Sequence, residues 1–132
     1  MALHLPAIVT LLALLLFLYS CMAVAVARKK YGVAAPATTG NLDFERIFRV
    51  QMNTLEHLVL FLPALWLFSE YVSPVWAGLV GLVWLVGRLY YALSYIKDAK
   101  RRGAGFMIGF VALLVLMIGA AVGIVLRIMA GL

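Results

Sequence analysis

The sequence predicts an all-α integral membrane protein, a bundle of four transmembrane helices. Three observations lead there. Of its 132 residues, 67% are apolar and 12% charged, against about half and about a quarter in a soluble domain. The mean hydropathy is +1.11, and the apolar residues fall into four runs, each near the roughly 20 residues that a helix needs to cross a bilayer. The chain therefore reads as one four-helix membrane domain over residues 1–132, with helices at about 3–28, 42–71, 74–98 and 105–130. A single cysteine, Cys21, leaves no disulfide framework.

The first run ends at Arg28, Lys29 and Lys30. Ala23, Ala25 and Ala27 mimic a signal cleavage site, and Leu18-Tyr19-Ser20-Cys21 loosely mimics a lipidation box. No positive charge precedes the run, however, and its charges stand in the stop-transfer position, so a retained helix is expected. The second helix starts near Asn41, a good N-cap, with Asp43 and Glu45 at the positive end of the dipole. Pro63 inside it predicts a kink. Ser73-Pro74 is a cap followed by a first-turn proline and opens the third helix. On the fourth, Gly105-x-x-x-Gly109 and Gly119-x-x-x-Gly123 allow close helix approach, within the chain or between subunits. Trp66, Trp76 and Trp84 read as anchors or packing, with no chemistry assigned.

Basic residues orient the bundle. Arg28, Lys29, Lys30, Arg46 and Arg49 lie between or just inside spans one and two, and Lys97, Lys100, Arg101 and Arg102 lie between spans three and four. The connector around Glu70 to Ser73 has none. By the positive-inside rule both basic regions are cytoplasmic and both termini are not. The net charge of +6 then belongs to one face, and with no soluble domain to present it, nucleic acid is not an expected partner.

Residues three or four apart share a helix face. Span two thus groups Arg46, Arg49, Asn53, Glu56 and His57, with Gln51 pointing elsewhere, and span three groups Arg88, Tyr91, Tyr95, Asp98 and Arg102. Snorkelling accounts for Lys97, Lys100 and Arg101. It accounts poorly for Asn53, Glu56 and Arg88, because a charge facing lipid costs roughly 2.5–3.5 kcal/mol at the helix centre. One reading is a structural ion pair such as Arg88 with Glu56. The other is a single site lined by both stripes, whose guanidiniums, carboxylate, amides and phenols suit a small zwitterion with excess negative charge.

No metal is expected. His57 and Glu56 are neighbours, hence about 100° apart on a helix, and His4 sits at the opposite membrane face. Hydrolysis fares no better, since Cys21, the candidate nucleophile, is mid-span on another helix and reads as inert packing.

The run Phe44-Glu45-Arg46-Ile47-Phe48-Arg49-Val50-Gln51-Met52-Asn53-Thr54-Leu55-Glu56 resembles the F-E-R-x-x-R-x-Q-x-N-x-x-E signature of the membrane-associated proteins in eicosanoid and glutathione metabolism, the MAPEG family. The similarity is to the branch of leukotriene C4 synthase and microsomal glutathione transferase 2, and the chain reads as a bacterial member. It continues through Gly87-Arg88-Leu89-Tyr90-Tyr91, Tyr95 and Arg102, with Arg28 ending span one. The resemblance implies a homotrimer binding glutathione as co-substrate between subunits on the cytoplasmic side. Arg49, Asn53 and Glu56 would hold the γ-glutamyl end, helped by Tyr91 and Tyr95, with Arg88 in the same stripe. Arg28 and Gln51 would contact the rest of the peptide, and Arg102 would face the thiol as the catalytic residue.

Three departures stand out. His57 replaces the family tyrosine and keeps a polar contact; Lys29 replaces an arginine and loses its planar fork; the proline after the motif glutamate is displaced to Pro63. Gln51 stands where the prostaglandin E synthase branch has histidine. The implied activity is a detoxifying glutathione transferase, with possible peroxidase activity, acting on a lipophilic electrophile or lipid hydroperoxide drawn from the membrane lipids. Two rivals are a non-catalytic lipid-binding scaffold of the same fold and a small four-helix transporter, although the latter places its glutamate in a first span that here has no acid.

Overall fold

The computed structural model describes residues 1–98, 100 and 102–132, including every side chain among them but that of Arg102. A 3-10 turn, Ala2–His4, leads into α1 (Leu5–Tyr31), followed by α2 (Leu42–Tyr71), α3 (Pro74–Lys97) and α4 (Arg102–Met129). Each of the four is long and apolar enough to cross a membrane. The architecture is a multi-pass four-helix membrane bundle, and among the described residues it contains no strand.

The helix boundaries have local causes. α1 continues to Tyr31 rather than stopping near residue 28, because Arg28, Lys29 and Lys30 suit the negative end of the dipole. Its stop is Gly32, which takes a left-handed conformation at φ 67° that a side chain would oppose. Asn41 Oδ1 accepts from the Phe44 amide at 3.0 Å to open α2, and Ser73 Oγ accepts from the Trp76 amide at 3.3 Å to open α3. α2 stays one continuous helix through Pro63. α4 begins at Arg102, a turn ahead of the expected residue 105.

The core inverts the usual surface. Phe61 and Trp84 stack at 3.8 Å with rings nearly parallel, at 6°, and Val9, Leu65, Leu113 and Leu116 close around them. Outside this core, Leu11, Leu15, Val59, Val86 and Ile118 are exposed, as lipid-facing residues are in a bilayer. Trp66 bridges α2 to α1 by donating to Thr10 Oγ1 at 3.0 Å. At the end of the bundle opposite the basic residues, Arg127 donates to the Glu70 carbonyl at 3.0 Å and lies 4.6 Å from the centroid of the Tyr71 ring.

The fourth-span glycines are used inside the chain. A Cβ on Gly87 would lie 2.6 Å from the Gly109 nitrogen, and one on Gly105 would collide with the Tyr91 backbone. Gly119 and Gly123 meet Phe68 and the Tyr71 carbonyl on α2. The seam between α3 and α4 is thus backbone against backbone, where overpacking costs about 1–3 kcal/mol. Gly105→Ala is expected to lower the unfolding temperature in detergent, whereas Gly103→Ala, with nothing within 4 Å of its would-be Cβ, should leave it close to the parent. Equal temperatures for both variants would reject the seam.

Candidate functional site

At the basic end of the bundle, where α2 and α4 begin and α3 ends, Arg49, Asn53, Tyr91, Tyr95, Gly103 and Phe106 line a pocket of about 430 Å³. The helical spacing explains the grouping. Arg49 and Asn53 are one turn apart on α2, as are Tyr91 and Tyr95 on α3, so each pair projects along one line. The two phenol rings stack at 5.6 Å. Arg49 Nη1 lies 3.3 Å from Glu56 Oε1, both side chains about half exposed at 51% and 54%. Asn53 is buried, and its Oδ1 has no hydrogen-bond partner among the described residues.

Arg88 departs from the sequence reading. Glu56 pairs with Arg49 instead, and Arg88 is 1% exposed in the bundle. There its Nη2 donates to Thr54 Oγ1 at 3.1 Å, and its guanidinium sits 4.4 Å from the centroid of the Tyr91 ring. It supports the pocket from behind and does not line it. His57 lies edge-on to Phe106 at 5.4 Å, likewise behind the lining, with its buried Nδ1 lacking a partner among the described residues.

Arg28 and Gln51 belong to a different part of the chain's surface. Arg28 donates to the Ala37 carbonyl at 2.7 Å and stands 5.0 Å from the Phe44 ring centroid, so it organises the connector between α1 and α2. Gln51 Nε2 donates to Cys21 Sγ at 3.3 Å, which gives the cysteine a polar neighbour that its expected packing role did not include. Neither lines the pocket. Lys97 and Lys100 are exposed at the basic end. Arg101 and the side chain of Arg102 lie outside the described residues; the Arg102 backbone opens α4 beside pocket-lining Gly103.

Three contributors escaped the sequence reading. Gly103 and Phe106 form the α4 wall, and Thr54 is the partner of Arg88. Phe106 had a signal in its one-turn spacing from Phe110, against which it stacks at 5.8 Å. Thr54 had none, since its neighbour Asn53 drew the functional reading. Chemically, the pocket offers a cation, an amide acceptor and two phenols beside an accessible carboxylate. That set is chemically suited to a charged, polar ligand.

The family model described as MAPEG matches residues 6–122. An uncharacterized protein of Synechocystis sp. is 50% identical over 119 residues, which cover 90% of this chain and 87% of that protein. Microsomal glutathione S-transferase 2 of Bos taurus is 41% identical over 106 residues, covering 80% of this chain and 73% of its own. Leukotriene C4 synthase of Bos taurus is 40% identical over 116 residues, covering 88% and 77%.

Proposed function

The chain belongs to the MAPEG family, and from that premise we propose that it is a membrane-bound glutathione transferase that joins the glutathione thiol to lipophilic electrophiles or uses it to reduce lipid hydroperoxides. The observation that carries this reading is the Arg49–Glu56 pair at 3.3 Å beside a pocket holding Asn53, Tyr91 and Tyr95. An exposed ion pair is worth only about 0–1 kcal/mol and opens easily. The α-carboxylate of a γ-glutamyl group replaces Glu56 on Arg49, its ammonium takes Glu56, and one ion pair becomes two. Asn53 Oδ1 accepts from the same ammonium or from the adjoining amide.

The basic end faces the cytoplasm in this reading, and both termini face away from it. Glutathione then arrives from water while the second substrate concentrates in the bilayer. In conjugation the thiolate sulfur attacks an electrophilic carbon and expels a leaving group or opens an epoxide. In reduction it attacks the terminal peroxide oxygen, releasing an alcohol and a sulfenic form of glutathione that a second thiol converts to disulfide. The test is glutathione-dependent turnover of the purified protein across aryl halides, epoxides and lipid hydroperoxides. Binding of glutathione without turnover of any of them would mean a non-catalytic scaffold.

The glycyl carboxylate of glutathione needs a further cation, and Arg28 and Gln51 do not line this pocket. Supplied by a neighbouring copy, they complete the site, and the assembly is a trimer. Crosslinking and native mass measurement should give three chains, with activity following that species through detergent titration. A fully active monomer would remove the shared site.

A further inference from the structure

Three helices line the pocket at the basic end, and they contribute to it unequally. α2 brings the Arg49 guanidinium and the Asn53 amide, and α3 brings the Tyr91 and Tyr95 phenols. The described α4 wall, Gly103 and Phe106, brings a bare backbone and an apolar ring. A peptide bound through its charges and amides turns its polar groups toward α2 and α3. The side left facing α4 suits an apolar second substrate.

Phe106 does not set the width of that wall. Its ring centroid lies 5.4 Å from that of His57, 6.3 Å from that of Tyr91 and 5.8 Å from that of Phe110, so neighbours on α2, α3 and α4 hold it in place. Gly103, three residues earlier on the same face, is different. A Cβ there would meet nothing within 4 Å among the described residues, whereas one on Gly87, Gly105, Gly119 or Gly123 would run into a neighbouring helix. Nor does it take the positive φ of Gly32, Gly40 and Gly131. Neither packing nor backbone conformation calls for glycine at this position, and glycine is a poorer helix former than alanine. What Gly103 supplies is open space beside an exposed stretch of pocket-lining backbone.

That space lies where the reaction is expected. Arg102, the residue proposed to face the thiol, precedes Gly103 at the start of α4. The sulfur and the atom it attacks therefore meet at this end of the wall.

We propose that Gly103 is a specificity-determining residue: by leaving the α4 wall bare, it admits electrophiles and peroxides that carry bulky groups next to the reacting atom. The inference rests on the glutathione reading above and deepens it by naming the shape of second substrate that the site takes. It is tested on the purified full-length protein with two pairs of second substrates, propylene oxide against stilbene oxide and ethyl hydroperoxide against cumene hydroperoxide. The quantity read is the ratio of kcat/KM for the bulky member to that for the small one, in the parent and in Gly103→Ala, Gly103→Val and Gly103→Leu. Both members share the same enzyme and the same glutathione, so a loss of folded protein or of glutathione affinity cancels from the ratio. The ratio should fall stepwise with side-chain size, by about tenfold or more in Gly103→Leu. Ala104→Leu, at a position also exposed but outside the lining, should keep the parent ratio. A parent ratio retained in Gly103→Leu, or a fall of the same size in Ala104→Leu, would overturn the role of Gly103 and leave the transferase reading standing. A parent that turns over none of the four compounds would also overturn it, whereas the transferase reading falls only if the aryl halides fail as well.

Discussion

Replacing Arg49 with alanine, or Glu56 with glutamine, is expected to weaken glutathione binding by about ten- to a hundred-fold. The two side chains face each other at 3.3 Å and in the proposed complex hold opposite charges of one γ-glutamyl group. Removing either leaves one charge of the bound ligand unmatched, and a hydrogen bond to a charged group contributes about 1.5–3 kcal/mol. Arg127→Ala is the control, because its contact with Glu70 at 3.8 Å is also an exposed charge pair but lies at the opposite end of the bundle. Isothermal calorimetry on the three variants should show losses at positions 49 and 56 and the parent affinity at 127. An unchanged affinity in folded Arg49→Ala would make the α2 stripe structural and remove the zwitterion site.

Arg102→Ala is expected to separate binding from thiol activation. A free thiol ionises near pH 8.5, so at neutrality about 3% is the nucleophilic thiolate. Lowering that value by about two units raises the fraction to about three quarters and takes roughly 2.7 kcal/mol of differential interaction. A guanidinium at a water-poor boundary supplies such an effect, and the proposed source is Arg102 at the first position of α4. The start of α4 also adds the positive end of a helix dipole beside Gly103. The variant's ionisation curve should therefore move most, not all, of the way back toward the free peptide. Because the depressed group is acidic, the activating effect is present above its bound pKa and disappears as the pH falls through it. Ultraviolet thiolate absorbance of bound glutathione against pH reads this directly. Coincident curves for parent and variant would reduce Arg102 to a headgroup anchor.

Local signals were the readable part of the sequence. Asn41 and Ser73 cap α2 and α3 because a cap needs only four consecutive residues, and Arg49 with Asn53, or Tyr91 with Tyr95, share a face because one turn separates them. Arg88 shows where such reasoning stops. Three residues from Tyr91 place it about 60° round the helix and about 4.5 Å deeper. That offset moves it out of the pocket lining and into the bundle, under a ring it was expected to accompany. The end of α1 was misread for a different reason, because Arg28, Lys29 and Lys30 signal the membrane edge while Gly32 signals the helix end. Nor does a stripe pattern say which neighbour a face meets. Gln51 was expected to point away from the others, but only tertiary packing brings it to Cys21 on α1.

The contact of Gly87 and Gly109 across α3 and α4 bears on how this protein tolerates change. Interlocked backbones fix the axial register of the two helices: the Gly109 backbone and the Ile108 side chain together fill the space that a Cβ on Gly87 would need. Phe106 keeps its station opposite Tyr91 for that reason, although no polar interaction holds it there. The wall of the pocket is thus calibrated by atoms that are missing. Drift in the outward Leu, Val and Ile positions leaves this calibration untouched, while a single added methyl at the seam displaces aromatic rings that it never meets. Positions without chemistry of their own are consequently where substitution is least forgiving.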